Sequence, residues 1–258
     1  AAADVAWSML AHERQHPPVG PALKHGAQVS AAFMPDKERI VTGAGGTLHV
    51  WSAEDHRLLE RHPVADGAFL GLCKRPDGKQ VLVSWNRETL RFLDTTTFKD
   101  QREPLSFPGL FVKCARWSPS ADAFAIALGK RADNDGGGFI AICAADGAEL
   151  QRVPVEGLAP SRLAWSPDGK HVAASGISPN IAVIARGEEK ARYFQAKLSV
   201  SALRFADNDT VEALDIFLGQ LKKWSLSKNE PVGRPSNISP IPFDTEYSPD
   251  DRCFVGIR

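Results

Sequence analysis

One signal recurs along the chain at steps of 40 to 48 residues, and a repeat of this length restricts the folds that the sequence can adopt. Each copy places an aromatic residue just before a turn that contains Pro or Asp, as in Trp165-Ser166-Pro167-Asp168-Gly169. The marker residues stand at positions 33, 74, 117, 165, 205 and 247, with a lysine in place of the aromatic residue at position 74. Helical and all-β repeat proteins both use repeats of this size, so the residues between the markers must decide.

Those residues predict strands. Before the markers, apolar residues alternate with others, as Leu163 and Trp165 do. A β-branched run follows each turn, as at residues 81–83, and a third run follows, as at residues 47–51. A more polar fourth run, such as residues 149–153, precedes the next marker. The period of two is strand geometry, and no stretch of 12 residues has convincing helical periodicity. The sequence therefore predicts an all-β fold of four-stranded antiparallel blades, a β-propeller.

The order strand, Ser-Pro-Asp-Gly, strand, turn and a strand ending in Trp resembles the WD40-repeat family. The resemblance rests on six copies and covers nearly the whole chain. Residues 20–26, which lie close before the next inner strand, resemble the bacterial members in particular. The resemblance implies a propeller that presents loops to protein or peptide partners. In that bacterial group, propellers occur alone or attached to other modules such as protein kinases.

The chain departs from the family pattern at several polar positions. The Trp-Asp dipeptide appears as Trp51-Ser52, and the Asp of the turn between the second and third strands is replaced by Gly45 or Asn86. The resemblance implies a buried hydrogen-bond network of Asp, His, Ser or Thr, and Trp in each blade. We expect that network to be absent here, so that apolar packing between sheets holds the blades.

The repeat also predicts where the blades begin and end. The predicted complete blades span residues 28–66, 67–109, 110–157, 158–197 and 198–238, in one domain of residues 1–258. Residues 4–24 resemble the third and fourth strands of a blade, and residues 243–258 resemble the first and second. Together they would close a six-bladed ring and remove the exposed sheet edges. The rival interpretation is a fragment of a seven- or eight-bladed propeller, and the missing initiator Met favours a chain cut from a longer protein.

Charge and cysteine usage exclude several classes of partner. The 31 Lys and Arg residues equal the 31 Asp and Glu residues, so no net field attracts nucleic acid or an anionic membrane. No apolar run approaches the roughly 18 residues of a membrane-spanning helix. The four cysteines form no C-x-x-C pair, so we expect buried apolar thiols, no metal site and no cofactor. The sequence does not determine the cellular compartment, and we expect the cytoplasm rather than secretion.

Two strings suggest metal sites. Residues 12–16 match H-E-x-x-H, which binds zinc when both histidines lie on one helix face. Pro17 follows at once, and the repeat places the string in a turn, so we interpret it as a loop. Residues 133–138 suggest a calcium loop, but its twelfth position is Ala144 instead of Glu. We interpret these residues as a hairpin tip, with calcium binding as the alternative.

The six tryptophans fall into two classes. Five occupy repeat-conforming strand positions and are predicted to lie in the core: Trp7, Trp51, Trp117, Trp165 and Trp224. Trp85 instead falls at the turn after the second strand of its blade, beside Arg87. Trp and Arg dominate binding hot spots, so we predict a partner-binding surface of Trp85, Arg87, Arg131 and Phe107, which lies in the loop of residues 104–109. The alternative, with Trp85 packed under its own hairpin, stays open.

The first functional hypothesis is a non-catalytic propeller that serves as a protein or peptide interaction scaffold. The alternative is a propeller hydrolase or lyase with a metal or carboxylate site in the central channel. That alternative needs acidic or His side chains on several first strands, and only one copy offers them, as Asp244 and Glu246. The other first strands carry Ser30, Gly71, Cys114, Arg162 and Ala202. A third hypothesis is the sensory or docking module of a longer chain whose activity lies elsewhere.

Overall fold

The structure, a computed structural model, describes most of the chain between residues 38 and 237 and short strands near both ends. The described residues are 38–52, 54–64, 69–85, 88–130, 137–176, 178–196, 200–215 and 220–237, with strands at 3–5, 10–11, 14–15, 23–25, 30–33, 244–247 and 254–257. They contain strands and turns and no helix, so the predicted all-β class is confirmed. No helix in this part of the chain is long and apolar enough to cross a bilayer. The chain divides into two compact units, residues 1–104 with 242–258, and residues 105–241.

The first unit contains two larger antiparallel sheets. The first sheet has four strands in chain order: Ser30–Phe33, Arg39–Ala44, Thr47–Ser52 and Leu58–Pro63. The second sheet has the long strands Phe69–Lys74, Gln80–Trp85 and Thr89–Asp94, and Leu93 bridges Asp100 at its outer side. Among the described residues, this unit also has three two-stranded pairs: Ala3–Val5 with Leu23–His25, Leu10–Ala11 with Arg14–Gln15, and Asp244–Tyr247 with Phe254–Ile257.

The two ends of the chain meet in the first unit. Ala3–Val5 lies beside Phe254–Ile257, the two segments that the sequence assigns to halves of one blade. The number of blades and the closure of a ring stay predictions.

The second unit contains three larger antiparallel sheets and begins with a two-residue strand, Leu105–Ser106. The third sheet consists of Leu110–Trp117, Ala123–Lys130, Gly138–Ala144 and Glu149–Val155. The fourth consists of Pro160–Trp165, His171–Gly176, Asn180–Ala185 and Arg192–Gln195. The fifth consists of Val200–Phe205, Thr210–Asp215, Gln220–Ser225 and a fourth edge formed by Glu230–Pro231 and Ser236–Asn237. These four-stranded antiparallel sheets are of the propeller-blade type.

The core of the second unit lies between neighbouring sheets. Its second strands are buried on both faces, and Ala123–Lys130 is apolar on both, because both faces of a middle strand are covered. One apolar cluster joins the third and fourth sheets and includes Ile142 and Leu163; another joins the fourth and fifth and includes Val183 and Leu203. The first strands of these three sheets lie next to one another, so their inner edges converge.

Each of four sheets carries a β-bulge at the same place in its first strand. The bulged residues are Leu70, Lys113, Ser161 and Ser201, each four residues before the marker residue of its repeat. A bulge adds one unpaired residue and sharpens the local twist of the strand. The shared position shows that these sheets repeat one backbone design, a feature that the side-chain pattern did not reveal.

Most of the predicted core tryptophans and cysteines are buried. Trp117, Trp165 and Trp224 are buried, and Trp7 lies outside the described residues. Trp51 is only half-buried, which corrects the prediction, because it lies near the end of its strand where the burial pattern becomes intermediate. The cysteines at positions 73, 114 and 143 are buried free thiols, as predicted, and Cys253 lies outside the described residues.

Candidate functional site

The structure describes only part of the predicted partner-binding set. Trp85 is the last residue of its strand and pairs with Thr89, so it extends the hairpin ladder and does not lie in the turn as predicted. The side chain of Trp85 and all of Arg87 and Arg131 lie outside the described residues. Phe107 is only 8 % exposed, and its carbonyl accepts a hydrogen bond from the Leu110 amide. Phe107 therefore offers a partner little surface.

The best-defined polar region is one end of the sheets of the second unit, which we call the turn edge. In an antiparallel sheet of four strands, the turn between the first two strands and the turn between the last two lie at the same end. The turn edge consists of the turns at residues 118–122, 145–148, 166–170, 186–191, 206–209 and 226–229. Most of its charged residues are exposed, and its aspartates are held by hydroxyl and amide donors, as described next.

Asp122 joins the third sheet to the fourth. Its carboxylate accepts hydrogen bonds from the Ser118 hydroxyl at 2.7 Å and the Ser120 hydroxyl at 2.5 Å. The Arg186 guanidinium, which follows the third strand of the fourth sheet, donates to the same carboxylate at 2.9 Å. The two hydroxyl bonds, then the Arg186 bond and charge, hold the pKa of Asp122 well below its usual range. This carboxylate is therefore a fixed anion between two sheets.

Asp168 and Asn208 join the fourth sheet to the fifth. The Asp168 carboxylate accepts a bond from the Ser166 hydroxyl at 2.7 Å, which is the main cause of its lowered pKa. The Asp168 amide donates to the Asn208 side-chain oxygen at 2.9 Å. His171 is nearby, but its backbone amide donates to Ser166, which is fully buried. A catalytic triad needs the serine to face a histidine base, so these three residues shape a turn instead.

Asp209 ties together the two turns of the fifth sheet. Its carboxylate accepts bonds from the Ser225 hydroxyl at 2.6 Å and from the Ser227 amide at 2.7 Å. These bonds, the Ser225 hydroxyl first, lower the pKa of Asp209. These contacts were not predicted from the sequence, although an Asp in the turn after the marker residue of all six repeats is a signal for them.

Further polar links cross between the sheets of the second unit. The Trp165 indole N–H donates to the Arg116 carbonyl at 2.9 Å. The Gln151 side chain donates to the Ala185 carbonyl at 3.0 Å and accepts from the Gly187 amide at 2.9 Å. We expected mainly apolar packing to hold the sheets; the structure shows hydrogen bonds between them as well, because buried polar groups at a junction must find partners there.

The first sheet retains one link of the network that we expected to be absent. The Trp51 indole N–H donates to the Thr42 hydroxyl at 2.8 Å, and Thr42 is fully buried. The expectation was therefore wrong for this Trp–Thr pair. The pair forms without the Asp because the two strands are directly adjacent and Thr42 still provides an acceptor.

The fifth sheet carries a row of charges across its first three strands. Glu212 on the second strand contacts Arg204 on the first at 2.6 Å and Lys223 on the third at 2.6 Å. The Glu212 side chain is 1 % exposed. Burial alone would raise the pKa of Glu212, but the bond from Lys223 and the charge of Arg204 outweigh it and lower the pKa. Arg204 and Lys223 therefore neutralise the Glu212 carboxylate within the fifth sheet.

The structure describes only part of the residues that suggested metal binding. Within the described residues, no group of three or more His, Cys, Asp or Glu side chains could hold a metal ion. Leu10–Ala11 pairs with Arg14–Gln15, so the H-E-x-x-H string crosses a small hairpin and not a helix. Residues 133–136 of the suggested calcium loop, and the side chains of Asp244 and Glu246, lie outside the described residues.

Comparison with known proteins gives one family match. Residues 22–52 match the family model described as "WD domain, G-beta repeat", and they include strands of the first sheet and the Trp51–Thr42 pair. No curated protein matches the chain. WD40 repeats generally serve protein interaction and are generally non-catalytic. Residues 22–52 are therefore similar to one WD40 repeat, and the four-stranded antiparallel sheets are consistent with the blades of a propeller.

Proposed function

We propose that the chain is a non-catalytic protein-binding module that presents the connecting turns of its sheets to a protein or peptide partner. The observation that carries the proposal is the set of polar links between the third, fourth and fifth sheets, above all Asp122 with Arg186 and Trp165 with Arg116. These links fix the spacing of the neighbouring sheets, and with it the spacing of the turns at both ends of those sheets. A preorganised surface binds a partner at a lower entropic cost than a flexible one.

The residues that we propose for partner contact stay Trp85, Arg87 and Arg131. Trp85 and Arg87 belong to the first unit, and Arg131 belongs to the second. Trp and Arg supply much contact area from few positions, so they are the first residues to test. We also propose that the chain is the docking part of a longer cytoplasmic protein, with a covalently attached module such as a protein kinase.

The test starts by identifying a partner and then measures affinity. The immobilised full chain is incubated with a lysate of its host, and bound proteins are identified by cross-linking mass spectrometry. Binding of the purified partner is then measured by calorimetry for the wild type and for the variant W85A/R87A. We expect at least a tenfold loss of affinity, because removal of hot-spot residues usually costs at least 2 kcal/mol.

The control is Lys170→Ala, which removes an exposed cation from the turn edge of the fourth sheet. It should bind the partner like the wild type. Equal loss in both variants, or unaltered binding by W85A/R87A, would contradict the proposed contact residues. Steady turnover of a substrate by the purified chain would contradict the non-catalytic function.

A further inference from the structure

Three polar residues that the structure describes lie at one level of the junction between the fourth and fifth sheets, beside apolar residues. Arg162 lies on the first strand of the fourth sheet, Ser175 on its second strand, and Asp215 on the second strand of the fifth sheet. Ser175 is fully buried and Asp215 is 3 % exposed, while Arg162 is half-buried. Apolar residues such as Ala173 and Val211 fill the remainder of this junction.

Strand alternation brings these side chains to the same junction. On the fourth sheet, Val172 and Ala174 face the third sheet and Ala173 faces the fifth, so Ser175 faces the fifth sheet as well. Arg162 is directly opposite Ser175 in the strand register and shares its face, with Cβ atoms about 5 Å apart.

The facing sheet supplies the third group. Val211 and Ala213 of the fifth sheet face the fourth, and Asp215 continues that row. The first strands of the two sheets lie next to one another, and each carries a bulge immediately before this level, at Ser161 and Ser201. Bulges often redirect side chains beside binding sites.

The Ser175 hydroxyl gives an independent indication of a ligand. Within the part of the chain that the structure describes, its oxygen is buried and has no hydrogen-bond partner. Buried hydroxyls nearly always have one, since leaving one unpaired is unfavourable. The Ser175 hydroxyl lies opposite Arg162 and faces the sheet that carries Asp215. This position suits a polar group that another molecule brings.

We propose that Arg162, Ser175 and Asp215 bind a carboxamide group, the side chain of an Asn or Gln residue in the protein partner. The cluster combines a cationic donor, an anionic acceptor and a hydroxyl that can act as either. A carboxamide matches this set, because its oxygen accepts from Arg162 and its NH₂ donates to Asp215. A carboxylate ligand would meet the like charge of Asp215, and an amine would meet that of Arg162. The identity of the ligand as a partner side chain rests on the proposed function.

The experiment titrates the isotopically labelled full chain with N-acetyl-L-glutamine methylamide and follows backbone amide signals by NMR. We expect saturable shifts at Arg162 and Ser175. The matched probes are the corresponding glutamate and leucine methylamides, which should bind at least fivefold more weakly. Ser175→Ala and Arg162→Gln should each weaken the glutamine probe at least fivefold, whereas Lys170→Gln, a charge-matched change on the turn edge, should leave it unchanged.

Ser175→Ala removes only a buried hydroxyl, so this variant should fold. If Arg162→Gln does not fold, Arg162→Lys replaces it, because lysine keeps the positive charge but lacks the planar guanidinium. The inference is overturned if the glutamine probe gives no saturable shift, if the glutamate probe binds as well, or if Ser175→Ala binds like the wild type. If the partner binds in a Trp85-dependent way but no probe binds, this inference is wrong and the proposed function still holds.

Discussion

Arg186 of the fourth sheet and Asp122 of the third form an ion pair of 2.9 Å that joins residues 64 positions apart in the chain. Their side chains are 32 % and 49 % exposed, and exposed ion pairs contribute little to stability. The hydroxyls of Ser118 and Ser120 also donate hydrogen bonds to the Asp122 carboxylate and fix its position in the turn. Asp122 therefore organises its own turn and holds the neighbouring sheet at the same time.

Asp122→Asn should lower the free energy of unfolding by about 1 kcal/mol at neutral pH, because two hydroxyl donors and one guanidinium lose a charged acceptor, while solvent screens a carboxylate that is 49 % exposed. The folded pKa of Asp122 lies below the unfolded value of about 3.9, so its stabilisation is complete above that pH and is lost as the pH falls further. Urea unfolding from pH 7 to pH 3 should show the difference between variant and wild type shrink below about pH 4. Asp146→Asn, whose carboxylate accepts from the Ala148 amide, is the control. A pH-independent difference would contradict the role of the charge.

The Trp51–Thr42 bond predicts a coupling energy between the two residues. Trp51→Phe and Thr42→Val each remove one partner of a 2.8 Å bond and keep most of the side-chain volume. The double-mutant cycle, measured by thermal or urea unfolding, should give a coupling of about 1 kcal/mol. Strictly additive effects would show that the bond contributes nothing to the first sheet.

The charge row of the fifth sheet predicts an asymmetric response to substitution. Glu212→Gln should destabilise the chain by about 3 kcal/mol, because Arg204, whose side chain is only 13 % exposed, loses its counter-charge, and the more exposed Lys223 loses it as well. The triple variant R204M/E212L/K223M should be much less destabilised, since apolar groups of similar size replace all the charges. The folded pKa of Glu212 is lowered, so the contribution of the charge should fall as the pH drops below the unfolded value of about 4.3. A single variant that unfolds like the wild type would contradict the description of the row.

Gly176 predicts a steric effect at the other end of the fourth sheet. A Cβ atom at Gly176 would overlap the Ala159 carbonyl oxygen, so Gly176→Ala must displace the backbone. Apart from its chain neighbours, a Cβ atom at Gly137 would meet no atom of the described residues within 4 Å, so Gly137→Ala is the matched control. Calorimetry should show a loss of at least about 2 kcal/mol for Gly176→Ala and a change within about 0.5 kcal/mol for Gly137→Ala. Similar melting temperatures for both variants would contradict the close approach at Gly176.

The sequence predicted the strands well because their signals are local. The β-branched run at residues 81–83 lies within Gln80–Trp85, and residues 47–51 lie within Thr47–Ser52. The end of a strand was harder to place, since one further pair with Thr89 moved Trp85 from the turn into the ladder. Periodicity reports the face that a side chain occupies and not the last hydrogen bond of a hairpin.

The polar contacts were mostly beyond sequence reasoning because they join distant residues. Trp165 meets the Arg116 carbonyl 49 positions away, and Gln151 meets the Ala185 carbonyl 34 positions away. Arg162 and Ser175 are assigned to one site only once the register and the facing sheet are known. The strand pattern supplies neither, because it contains no information on which sheets are neighbours.

The account depends most on the sheets of the second unit being fixed to one another as one body. Native-state hydrogen exchange in increasing denaturant measures this directly, residue by residue. We predict that the second strands of the third, fourth and fifth sheets share one opening free energy and lose protection together. Separate opening of the third and fourth sheets, with Asp122→Asn and Trp165→Phe leaving both unaffected, would contradict the account.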